Sequence, residues 1–165
     1  MATKVAASAA ANLAPGFRAL TLSIKQVCLS AVLKCGQSFR WQALPLPSDG
    51  LHGTGSPSHE YRLCLRDRVV CLRQTMDTLF YRSAFPLEDL APRERDIRES
   101  ETLAWIRDYF QLDVDLLELY DTWSEQDPVF RKLRSSFGGI RILRQDPFEC
   151  LISSVSFRLT PSVQG

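Results

Sequence analysis

Three short runs, Glu60 to Leu65, Val69 to Gln74 and Thr78 to Arg82, alternate apolar with polar residues and are separated only by brief charged turns. Tyr61, Leu63 and Leu65 fall on one side of the first run, with Arg62, Cys64 and Arg66 on the other. This is the period of two of a strand that buries one face. Parallel neighbours need a crossover of a dozen or more residues, and none of these connections is that long. The runs therefore read as an antiparallel meander. Phe17 to Ile24 alternates in the same way and predicts a first strand, and another is expected to begin in GQSFRW, Gly36 to Trp41. There Phe39 and Trp41 would share one face, with Ser38 and Arg40 on the other. Leu44 to His59 is rich in Pro, Gly and Ser and reads as a poorly ordered loop, as do residues 1–15.

Beyond Pro86 the apolar period becomes helical. Leu103, Ile106 and Phe110 form one stripe, and Leu116, Leu119, Tyr120 and Trp123 form a second behind Asp113 as a plausible N-cap. Asp127-Pro128 and Asp146-Pro147 each place a capping carboxylate before a proline suited to the first helical position, and Gly138-Gly139 closes the third helix. The fourth carries Phe148, Leu151, Ile152 and Val155 on one side. Such a stripe needs a surface to cover, either the sheet or something beyond it. The expected class is α+β, a twisted antiparallel sheet of about five strands with helices on one face, plus the start of an all-α domain.

The near-neutral total charge hides an internal division. Residues 88–127 hold four basic against thirteen acidic residues, whereas 1–59 hold five against one and 128–165 six against two. A basic face toward nucleic acid with an acidic helical face in solvent is one reading, and ordinary solvated helix faces are the other. Cys28, Cys35, Cys64, Cys71 and Cys150 form no C-x-x-C pair, and His52 and His59 lie in the loop-like stretch, so no metal site is expected. The cysteines fit free thiols. No apolar run is long enough for a membrane span, and the Ala-rich first 20 residues lack the h-region of a signal peptide. A disordered extension or a weak mitochondrial presequence would suit them.

GQSFRW, the hairpin strands, YFQLDV (Tyr109 to Val114), L-x-x-L-Y (Leu116 to Tyr120) and RILRQDPFECLIS (Arg141 to Ser153) occur in one order, and together they resemble the 8-oxoguanine DNA glycosylase family. The resemblance covers about Leu20 to Ser154. It implies a sheet similar to half of the TATA-binding-protein fold, seated against a helical domain with a helix-hairpin-helix motif, a lysine nucleophile and a catalytic aspartate. On this view residues 1–16 are an extension, 17–140 the family's N-terminal domain, 141–155 the start of the helical domain and 156–165 a divergent tail. The implied activity is base-excision repair by a DNA glycosylase and abasic-site lyase, in the nucleus or mitochondrion, without cofactor, metal or membrane. The implied partner is double-stranded DNA containing 8-oxoguanine.

In the family the glycine of GQSFRW offers its backbone carbonyl to the flipped base. Guanine N7 accepts a hydrogen bond, whereas the same nitrogen of 8-oxoguanine donates one. The matching residue is Gly36, expected to be glycine because close backbone approach leaves no room for a Cβ. By itself it could equally be a turn glycine. Gln37 to Trp41 are expected to hold the strand rather than touch DNA, Arg141 and Arg144 to meet phosphate or form surface salt bridges, and Asp146 to cap a helix. The family's S-S-N-N-N continuation is missing after Ser154, and Lys4, Lys25, Lys34 and Lys132 match no catalytic-lysine segment. The expectation is a chain without its own nucleophile, acting as a binding module or as a non-functional fragment.

Overall fold

The computed structural model describes residues 15–47, 56–86 and 90–159, excepting the side chains of 156–159. Five strands, β1 (Arg18–Thr21), β2 (Gln42–Pro45), β3 (His59–Leu65), β4 (Arg68–Gln74) and β5 (Thr78–Ala84), form one antiparallel sheet in the order β1-β5-β4-β3-β2. The meander is present as expected. Its β3–β4 hairpin opposes Leu63 to Val70 and turns through Arg66, which adopts a positive φ of 49°. The helices are α1 (Leu29–Val32), α2 (Pro92–Tyr109), α3 (Leu116–Gln126), α4 (Pro128–Leu133), followed by a 3-10 turn at Arg134–Ser136, and α5 (Pro147–Leu159).

One sheet face carries Tyr61, Val70, Leu72, Leu79 and Tyr81 into a core with Val27, Leu29 and Val32 from around α1 and Ile106, Tyr109 and Phe110 from the end of α2. The opposite face is built differently. Glu60, Arg62, Cys71, Arg73 and Arg82 occupy the alternate positions, where Glu60 accepts from Arg62 at 2.5 Å and from Arg73 at 2.6 Å. The Arg73 and Arg82 guanidiniums lie 4.4 and 5.1 Å from the centre of the Phe17 ring. Burial pushes the Glu60 carboxyl up, but hydrogen bonds from the two arginines outweigh it and hold the pKa below its ordinary value.

Three expectations are corrected. GQSFRW is not strand: β2 begins at Gln42, Ser38 is buried and Phe39 exposed, so the alternation across Ser38 to Trp41 does not mark two sheet faces. The loop expected from Leu44 gives way at both ends to strand, and the Leu46 amide still donates to the Ser58 carbonyl at 3.0 Å. The remainder of the expected disorder, 48–55 and 1–14, lies outside the described residues. The cap of α3 is Asp115 rather than Asp113, its carboxylate accepting from the Leu117 and Glu118 amides. Asp127 and Asp146 do cap as expected.

Candidate functional site

β1 and β2 lie at opposite edges of the sheet, so residues 22–41 must cross its helix-bearing face. That crossing leaves the regular ladder, and side-chain amides take over the pairing its backbone would otherwise lack. Gln74 of β4 accepts from the Leu29 amide at 2.9 Å and donates to the Val27 carbonyl at 2.6 Å. Gln26 accepts from the Leu116 amide at 3.0 Å and donates to Asp115 at 2.7 Å.

Gly36 lies in this crossing, four residues past α1. It is exposed, with φ +84°, a left-handed backbone that a side chain disfavours. An added Cβ would meet nothing within 4 Å. Within this chain, therefore, what favours a glycine here is the backbone conformation. Among the described residues nothing donates to the Gly36 carbonyl, which leaves that acceptor open.

The residues after Gly36 fasten the turn to two neighbours. Gln37 accepts from the Leu143 amide at 3.0 Å and donates to the Arg141 carbonyl at 2.8 Å, and Gln145 donates to the Gln37 carbonyl at 2.5 Å. Arg40 pairs with Glu149 of α5 at 2.7 Å and also donates to the Cys64 carbonyl of β3. Trp41 donates to the Tyr109 hydroxyl at 3.1 Å within a cluster that stacks Trp105 on Tyr109 at 4.6 Å. Burial raises the Tyr109 phenol above its ordinary value, so it is the neutral O–H that packs here. Gln37, Arg40 and Trp41 thus hold their surroundings together, as parts of a cross-linked turn and not of a strand.

The two arginines differ from each other. Arg141 is 7% exposed and donates to the Gln26 carbonyl and side chain and to the Gln111 and Val114 carbonyls, at 2.6 to 2.8 Å. Burial lowers its pKa, opposed by the charges of Asp115 and Asp113. It is neither a phosphate contact nor a surface ion pair. Arg144 is exposed and pairs with Asp108. Lys25, Lys34 and Lys132 are all exposed, and Lys4 lies outside the described residues. Among the described residues no group of His, Cys, Asp or Glu could hold a metal, and no helix is long and apolar enough to cross a membrane.

The segment bound by Gln37 leads into an apolar surface. Ile142 is 74% exposed and Phe148 71%, with Leu151, Ile152 and Val155 continuing the exposed side of α5. Sequence reading found that stripe but gave Gln37 no particular partner. A glutamine acting as a substitute peptide carries no periodic signal, and its partners lie more than a hundred residues away.

Residues 19–151 match the family described as 8-oxoguanine DNA glycosylase, N-terminal domain. The chain is 34% identical over 140 residues to an N-glycosylase/DNA lyase of Saccharomyces cerevisiae, covering 84% of this chain and 34% of the yeast protein. It is 28% identical over 140 residues to the N-glycosylase/DNA lyase OGG1 of Arabidopsis thaliana, covering 84% and 32%. The chain spans about a third of the length of these relatives. Among solved structures, the Clostridium acetobutylicum 8-oxoguanine glycosylase/lyase in complex with dsDNA containing cytosine opposite 8-oxoG superposes with a TM-score of 0.57 at 25% identity, over 82% of this chain and 38% of that one. The structure of MBOgg1 in complex with a low-affinity DNA ligand gives 0.62 at 24% identity, over 91% and 43%, a likeness of fold.

Proposed function

Because the chain belongs to the 8-oxoguanine DNA glycosylase family through its N-terminal domain, we propose that it serves base-excision repair as one wall of the pocket that receives an oxidised guanine flipped from duplex DNA. The carbonyl of Gly36, to which none of the described residues donates, on an exposed turn fastened on its C-terminal side, is the observation that carries this reading. A fixed carbonyl accepts from N7–H of 8-oxoguanine and meets the lone pair of guanine N7 with repulsion. A desolvated hydrogen bond of this kind separates two ligands by about 1–3 kcal/mol. Extruding the base costs a few kcal/mol, which every candidate base must repay, so a small difference at the pocket wall matters. The reading places the protein with DNA, in the nucleus or the mitochondrion.

The chemistry itself is assigned to none of the described residues. A lysine that attacks the sugar must be held within near-attack distance in a site that excludes water, and Lys25, Lys34 and Lys132 stand in solvent. The described residues therefore bind and discriminate without cutting. Two measurements test this on the chain as it stands. In fluorescence anisotropy at fixed salt, a duplex with 8-oxoguanine opposite cytosine is expected to bind at least about fivefold tighter than its guanine counterpart, with both affinities falling as salt rises. Equal affinities would remove Gly36 from recognition. Borohydride treatment on the lesion duplex is expected to trap no covalent adduct. An adduct that disappears when one lysine is replaced would make the chain a catalyst.

A further inference from the structure

We infer that Gln37 is the positioning residue for lesion discrimination, its side-chain amide strapping the Gly36 turn to residues 141–145. The inference rests on the reading of Gly36 given above. The side-chain amide donates to the carbonyl of Arg141 and accepts from the N–H of Leu143, an acceptor and a donor two residues apart, which is the pattern a neighbouring strand would present. The return bond from Gln145 to the Gln37 carbonyl closes the strap from the other side. The segment it grips is itself immobilised, by the four bonds of the Arg141 guanidinium and by the Arg144 amide donating to the Tyr109 carbonyl at 2.9 Å. Gly36 has no such restraint of its own, having no side chain and no donor to its carbonyl among the described residues.

The strap matters because the distinction is made by repulsion as much as by attraction. A glycine turn free to rotate would swing its carbonyl away from guanine N7 and bind both bases alike. One that cannot retreat keeps the penalty against guanine, since a preorganised dipole acts only where it is held. Gln37 therefore sets the ratio of the two affinities: without it the lesion loses its held acceptor and guanine loses its penalty, so the two converge.

The test uses the 165-residue chain and the same two duplexes. Gln37→Ala is expected to bring the lesion-to-guanine affinity ratio close to one, the lesion duplex binding more weakly than to the parent and the guanine duplex at least as tightly. Gln37→Glu keeps the acceptor for Leu143, but its ionised carboxylate cannot donate to the Arg141 carbonyl. It is expected to lose the preference at pH 7.5 and regain it near pH 4, below the ordinary glutamate value of about 4.3, where a protonated acid restores the donor. Backbone relaxation at Gly36 gives an independent reading, its order parameter falling in Gln37→Ala from about 0.85 to 0.6 or below. An unchanged ratio in Gln37→Ala overturns the inference, and so does an equal loss on both duplexes. Should Gln37→Ala fail to fold, a Gln37→Glu ratio that is the same at both pH values overturns it. If the unaltered chain shows no preference, the lesion reading of Gly36 fails, and unchanged Gly36 motion in Gln37→Ala then rejects the strap as well.

Discussion

Gly36 and Gly139 both adopt a left-handed backbone, at φ +84° and +76°, but a side chain would meet different obstacles at the two positions. At Gly36 only the conformational penalty applies, about 1 kcal/mol, so Gly36→Ala should melt about 3 °C below the parent. At Gly139 a Cβ would collide with the Ile24 carbonyl and lie 2.6 Å from the Cys28 nitrogen, at the point where the Cys28 amide donates to the Gly139 carbonyl at 2.8 Å. Gly139→Ala should cost more than about 3 kcal/mol, and a variant melting with the parent would show that this approach is not needed. Arg141 supplies a second test. A lysine there cannot reproduce the guanidinium fork across four acceptors, so Arg141→Lys is expected to lose about 3 kcal/mol by calorimetry, whereas Arg144→Lys should change stability by less than about 0.5. Nothing in R-I-L-R distinguishes these arginines. Burial alternates along the segment, so Arg141 and Leu143 are buried and the apolar Ile142 is the residue left in solvent.

The meander was readable because burial on one face imposes a period of two that survives in the sequence. GQSFRW carries its polar residues for another reason. Gln37 and Arg40 are polar because they reach specific partners on 141–143, β3 and α5, and so the segment crosses to β2 without pairing as a strand. On the sheet face opposite the core, the charged residues of β3 and β4 look like a solvated surface, yet the Glu60 side chain is 1% exposed between Arg62 and Arg73. Its pKa is depressed in the fold, so the stabilisation it contributes is complete above the unfolded value near 4.5 and is lost as pH falls through the lower folded value. Glu60→Gln should therefore be less stable than the parent by about 2 kcal/mol at pH 7, with the gap narrowing below about pH 4. Denaturant titrations at pH 7, 5 and 3 check this, and a gap constant across them would mean that Glu60 acts through packing alone.

For the molecule as a whole, the side of α5 formed by Phe148, Leu151, Ile152 and Val155 stays in solvent instead of folding back on the sheet. An apolar stripe of this kind promotes association. Light scattering across a concentration series is expected to show the 165-residue chain self-associating, and replacing Phe148 and Leu151 together with serine should return it to a monomer. A monomer at every concentration, with no binding of an apolar-surface dye, would count against an available face. The sequence by itself determined the antiparallel sheet, the helical second half, the proline-led caps at Asp127 and Asp146 and the position of Gly36 within a recognisable string. Each of these follows from local chemistry or from periodic burial, which one stretch of chain can record. Only the tertiary structure decided which arginine is buried, where β2 begins, and that Gln37 rather than a strand ladder holds the Gly36 turn. Those outcomes depend on hydrogen-bond partners about a hundred residues apart, and a polar side chain carries no local mark of the group it will meet.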